Sequence, residues 1–222
     1  IAALQYHARS YPVLINGETP VQCRVYGEDP QGQKQTRADR VSSHMSYQIL
    51  EEDEQWEAEM DRVLITQPII GCAFKKTYFD PIKKKNISEN ILARDFVVNY
   101  WTKSLDTAPR VTQILYYSKN DVYERVTRGL WLEMTEVAPN SIMQTGLGLV
   151  KDKAQGVLAP ESVDSSTPYE ILEQHTFLDL DDDGYEEPYI VTFEENSQEV
   201  LRIVARYDAD DIKTNDKGKI TS

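Results

Sequence analysis

The chain has 222 residues, 40% of them apolar and thirteen of them tyrosine, and a formal net charge of −13 at neutral pH. That length and apolar content specify a folded chain of one large or two small domains rather than a disordered one. The acidic balance excludes a module that grips a nucleic-acid backbone with clustered Lys and Arg, and no apolar run approaches the ~20 residues of a membrane helix.

The start, IAALQYHARS, has no basic stretch ahead of an apolar core, so no secretory signal is expected, and both ends read as cuts through a longer protein. Residues 1–16 read as the end of a helix followed by an extended piece around Pro12, and VQCRVYG (21–27) as a short strand. Residues 36–66 carry helical periodicity in Val41, Met45 and Ile49 and then in Trp56, Met60 and Val63/Leu64. The acidic EEDE at 51–54 marks a break there and is expected to be a solvated face. Residues 69–92 read as a hairpin turned at Asp80-Pro81, with Ile70, Cys72, Phe74 and Tyr78 on one face of its first strand. Lys75, Lys76, Lys83, Lys84 and Lys85 flank that turn and are expected at a solvated tip. Residues 93–118 supply further strands, and Ser118-Lys119-Asn120-Asp121 has the form of a helix start, predicting a helix over 119–128 that ends at Gly129.

Residues 132–168 are rich in Gly, Pro, Ser and Thr and read as a linker or long loop. HTFLDL, EPYIVTF and EVLRIVARY then form a three-stranded meander, with Leu201, Ile203, Ala205 and Tyr207 on one face and Arg202 and Arg206 on the other. The expected organisation is an α/β region over 1–131, the linker, a meander over 169–208 and a polar tail over 209–222. The expected class is α+β, with helices packed on mostly antiparallel sheets.

Between Ala154 and Leu201 lie thirteen acidic residues and no Lys or Arg, so this stretch carries the entire net charge. At its centre, Asp179, Asp181 and Asp183 alternate ahead of Gly184, with the Tyr185 carbonyl and Glu187 following. This is the first half of a calcium loop, in which alternate oxygens wrap a hard cation, Ca²⁺ or Mg²⁺. The likeness breaks at the twelfth position, which is Ile190 rather than a bidentate Glu, and Pro188 closes the loop early. The plainer reading is an exposed turn in which Asp side chains cap backbone N–H groups, on a surface that repels DNA. No other metal or cofactor is expected. His7, His44 and His175 are scattered, no phosphate loop or nucleophile motif occurs, and no catalytic residues are assigned. A metal-dependent nuclease lacks a positioning Lys or Arg near these acids. Cys23 and Cys72 are expected to be buried reduced thiols, and Asn86-Ile87-Ser88 is a lone glycosylation triplet.

Several strings occur in a telling order. They are RADRVSSHMSYQILEE with Trp56 to Asp61 after it, IIGCAFKKTYFDP, RDFVVNYWTKSLDTAPRVTQILYYS, and HTFLDLDDDGYEEPYIVTF leading into VLRIVARYD. Together they touch most of residues 35–208, and their order resembles the portal proteins of short-tailed bacteriophages and prophages, in the wing region. The resemblance implies a structural virion protein, in the host cytoplasm during assembly, that does no covalent chemistry. Portals form rings at one capsid vertex through which DNA is packaged and ejected. Their partners are other portal subunits, capsid or scaffold, terminase and tail proteins, and no membrane. Terminase and tail would dock on parts of a portal that these strings do not cover. A calcium-binding module for adhesion or surface assembly is the other expectation.

Overall fold

The computed structural model describes residues 1–15, 19–134, 167–180, 182 and 184–208. The chain divides into two compact units, 1–94 and 95–222. Helices and antiparallel sheets occupy both, which makes the fold α+β as expected. The division does not follow the expected one. The 1–131 region is split near Arg94, and the meander of 169–208 shares one sheet with the strands before it. Most of the expected linker (135–166) and the polar tail (209–222) lie outside the described residues.

In the first unit, α1 (Ala2–Leu14) runs straight through Pro12, where an extended piece was expected. The ring removes only a hydrogen bond of the final turn, where its fixed φ suits a helix. α1 lies antiparallel to α3 (Trp56–Ile70) along a polar seam: His7 Nε2 meets Asp61 Oδ1 at 2.5 Å, and the Tyr11 hydroxyl donates to Glu57. No residue of α1 is buried. Segment 21–27 is not a strand. Its Val21 N–H and C=O are taken by the Ser46 and Ser42 hydroxyls of α2 (Gln33–Tyr47), so no ladder forms. The expected helical face is also displaced, for Val41 and Met45 are exposed and the buried residue of α2 is Ser46.

Between α2 and α3, residues Gln48–Glu52 widen into a π-helical turn, closed by the Asp53 N–H to the Gln48 carbonyl at 3.0 Å. α3 continues to Ile70 and is capped by left-handed Gly71, so Ile70 is helical rather than the start of a strand. Pro68, like Pro12, falls in the last turn of its helix. β1 (Phe74–Asp80) and β2 (Lys85–Ile91) form the hairpin. Asp80 accepts the N–H groups of Ile82 (2.7 Å) and Lys83 (3.2 Å), which fixes the turn. Lys83 and Lys84 stand at the tip, but Lys75 and Lys76 lie over Trp56 and Tyr78. Leu64 and Ile91 are the fully buried apolar side chains of this unit among the described residues.

The second unit is a five-stranded antiparallel sheet in chain order: β3 (Phe96–Val98), β4 (Arg110–Tyr117), β5 (Tyr169–Leu178), β6 (Glu187–Glu194) and β7 (Val200–Ala205). α4 (Lys119–Thr127) follows β4. Ser118 and Asp121 form the capping box read from the sequence, and left-handed Gly129 lies just past the helix. Hydrogen bonds from Ser118 hold the Asp121 carboxyl below its ordinary range, against the effect of its own burial. Val122 of α4 packs with Trp131, Met134, Tyr169, Ile171 and Leu201 in the core of the unit. Arg125 closes its edge, with the guanidinium 4.2 Å from the Tyr117 ring centroid and 5.4 Å from that of Trp131. The start of the expected linker is therefore core: Met134 is buried, and the Leu132 N–H bonds the Leu201 carbonyl at 2.8 Å.

A bulge corrects the expected face of β7. Val200 opposes Phe193 and Arg202 opposes Thr192, leaving Leu201 as the extra residue. Leu201 turns into the core at 1% exposure, whereas Ile203, opposite Val191, is 48% exposed. Ile171→Ala removes a fully enclosed side chain and is expected to lower the unfolding free energy of the second unit by about 3 kcal/mol. Urea unfolding followed by Trp131 emission measures this, and a loss below about 1 kcal/mol would contradict the packing.

Candidate functional site

The acidic turn keeps its capping role. Asp179 Oδ2 accepts the Gly184 N–H at 2.8 Å, and Gly184 has φ +88°. Asp181 and Asp183 lie outside the described residues. Glu187 belongs to β6, opposite Leu178, and is 8% exposed. So Asp179 spends one oxygen on the backbone, and Glu187 is a buried strand residue rather than an open ligand. Among the described residues no group of three His, Cys, Asp or Glu side chains is placed to hold a metal ion. The histidines stay apart: His7 pairs with Asp61, His175 lies 3.4 Å from Glu173 within β5, and His44 is exposed on α2. Neither cysteine is buried as expected, since Cys72 follows the exposed end of α3 and Cys23 lies in the unpaired 21–27 segment.

The structure brings together residues that the sequence did not suggest. The π-helical turn and the start of α3 face the β1–β2 hairpin across a cleft of about 310 Å³. Met45, Ile49, Trp56 and Ile87 give it apolar walls, and Glu52 and Asp53 supply carboxylates. Asp53 is 9% exposed, which corrects the reading of EEDE as wholly solvated; Glu51, Glu52 and Glu54 remain in water. The turn pulls Asp53 inward, because its N–H closes the π turn and its carbonyl accepts the Trp56 N–H at 3.0 Å. Lys75 Nζ sits 4.9 Å from the Trp56 ring centroid. Burial pushes the Lys75 ammonium below its ordinary pKa, while the charges of Asp53 and Glu59 pull it back.

Glu59 holds the hairpin to α3: Oε2 accepts the Asn90 N–H at 2.9 Å, and Oε1 is 2.6 Å from Arg62. On the floor of the cleft the Thr77 and Ser88 hydroxyls bond each other at 3.0 Å rather than a histidine or carboxylate. Lys85, at the rim, points Nζ at the Glu52 carbonyl, 3.4 Å away. Such a lining suits binding: apolar walls for contact and a few polar groups for orientation, at the lower end of ligand-pocket volumes of ~300–1,000 Å³. π-Turns recur at functional sites, yet a π-turn has no sequence signature of its own here. Trp56 and Lys75 are also too far apart in the chain for spacing to pair them.

No family model matches this sequence, and no curated protein is similar to it. The portal resemblance therefore rests on the ordered strings alone.

Two outcomes are expected. The hydrogen bond to Glu57, then burial, then the charges of Glu57 and Asp61 push the Tyr11 phenol from 10.0 up to about 12. Below pH 10 the phenol is protonated in folded and unfolded chains alike, and the α1–α3 contact is intact. Between pH 10 and about 12 the unfolded phenol ionises first, so the stabilisation is lost as pH rises through that window. Burial and the charge of Glu194 also push the Tyr169 phenol up, so absorbance titration at alkaline pH should show late phenols with Tyr11 among them. Tyr11→Phe is expected to remove one phenol's share of that late absorbance, and an unchanged late amplitude in that variant would contradict the assignment. Calorimetric titration with Ca²⁺ or Mg²⁺ should show no micromolar site, whereas a heat signal abolished by Asp181→Ala would restore the cation reading.

Proposed function

We propose that this chain is part of a portal-type ring protein of a bacteriophage or prophage. In this reading it builds the structural ring at the capsid vertex through which DNA is packaged and ejected. It acts by presenting surfaces to neighbouring subunits and to capsid or scaffold, not by covalent chemistry. It works in the virion and, during assembly, in the host cytoplasm.

The observation that carries this reading is the burial in the first unit. Leu64 and Ile91 are its fully buried apolar side chains among the described residues, while Ile1, Leu4, Val13, Ile69, Ile70 and Phe79 are all more than half exposed. Monomeric proteins rarely leave such apolar surface bare, whereas subunits of assemblies cover it against neighbours. The ordered strings then favour a portal among assemblies. The acidic excess suits a wall along which a DNA backbone slides without sticking. Among the described residues no helix is long and apolar enough to cross a membrane.

Electron microscopy of the purified, concentrated protein tests the reading. Ring-shaped particles with an open centre are expected. A monomer that shows Mn²⁺-dependent cleavage of DNA, or one that aggregates only with Ca²⁺, would overturn it.

A further inference from the structure

The turn after β3 holds Tyr100 and Trp101 almost wholly in solvent, at 88% and 87% exposure. Their rings meet edge to face with centroids 5.0 Å apart. The Thr102 N–H to the Asn99 carbonyl, at 3.0 Å, closes the turn beneath them. Bare tryptophan is uncommon on a monomer, and tryptophan and tyrosine dominate the energetics of protein interfaces. Two rings braced against each other form a rigid knob that loses little rotamer freedom on docking. Exposed Lys103 follows directly.

The cleft of the first unit has the complementary character. Its volume of about 310 Å³ and its walls of Met45, Ile49, Trp56 and Ile87 suit one aromatic side chain. Glu52 and Asp53 line it beside Lys85, and neighbouring Glu51 and Glu54 are exposed, so carboxylates outnumber ammonium groups at its mouth.

We propose that Trp101, braced by Tyr100, of one copy seats in this cleft on a second copy, with Lys103 against Glu52. The proposal rests on the reading of the chain as a ring subunit and names one contact of that ring. The occupant is a second copy because the same chain carries both halves and because their charges are complementary. In the cleft the indole N–H has the Glu52 and Asp53 carboxylates as acceptors, and the Lys85 ammonium at the rim can face the ring. Knob and cleft are different patches, so the contact is heterologous: copies join head to tail, in rings or filaments, rather than in symmetric pairs.

Sedimentation of the full chain over a range of concentrations tests this. Trp101→Ala is expected to weaken self-association about 100-fold, the scale of a central tryptophan anchor. The residue is exposed on a turn, so folding is not at stake. Lys103→Glu is expected to weaken association about 10-fold at low salt, and adding Glu52→Lys to the same chain to restore it. An equal mixture of W101A and I49R chains is expected to stop at dimers, because each pair has only one intact knob facing one intact cleft. Self-association of W101A at wild-type strength overturns the contact and leaves the ring reading standing. A wild-type chain that stays monomeric at the highest concentration also overturns the contact; the ring reading then falls only if microscopy also finds no rings. Failure of the E52K/K103E pair to restore association means that the cleft takes another occupant, and overturns the proposal as well.

Discussion

Ile171 and Leu201 are enclosed beneath α4 and Trp131, and this contact organises the second unit. It anchors the centre of the five-stranded sheet and the helix that covers it, and draws in Met134 from the segment beyond. It also depends on a local irregularity. Without the bulge at Leu201, strict alternation along β7 would place Leu201 and Ile203 on one face. The bulge instead commits one to the core and leaves the other in solvent. Among its described residues the first unit has no equivalent. Its helices meet through His7–Asp61 and Tyr11–Glu57, and its hairpin is tied on through Glu59. Polar contacts of this kind set geometry well and contribute little net free energy. The contrast is between a sheet packed around its own core and a helical unit held largely by polar contacts.

Where structure follows short-range chemistry, it was legible in the sequence. The capping box at Ser118, the Asp80-Pro81 turn, the Gly184 turn and most strand segments each arise from a few adjacent residues. The readings that failed depend on partners distant in the chain. Segment 21–27 has strand composition, but no ladder forms, and the Val21 N–H and C=O bond the Ser46 and Ser42 hydroxyls instead. Val41 and Met45 have helical spacing, yet periodicity identifies a stripe and not what covers it. Pro12 reads as part of an extended piece because position within a helix, here its last turn, is not visible in composition. The bulge in β7 has no sequence mark at all.

The functional site shows the same divide. The acidic turn was conspicuous in the sequence, and the Asp179 carboxylate accepting the Gly184 N–H is the ordinary chemistry of a turn. The cleft was invisible, because Trp56, Asp53, Lys75 and Ser88 are assembled by the π-helical turn and the hairpin register. The sequence supplied the family likeness, and the fold supplied surfaces on which such a protein could act.

In the proposed assembly the first unit depends on its neighbours for stability. Hydrogen exchange of backbone amides, read by unit in dilute monomer and in concentrated assembled protein, tests it most directly. β5 and β6 are expected to be strongly protected in both samples, while α1 and α3 exchange fast in the monomer and slow markedly on assembly. Equal protection of α3 and β5 in the dilute monomer would contradict it.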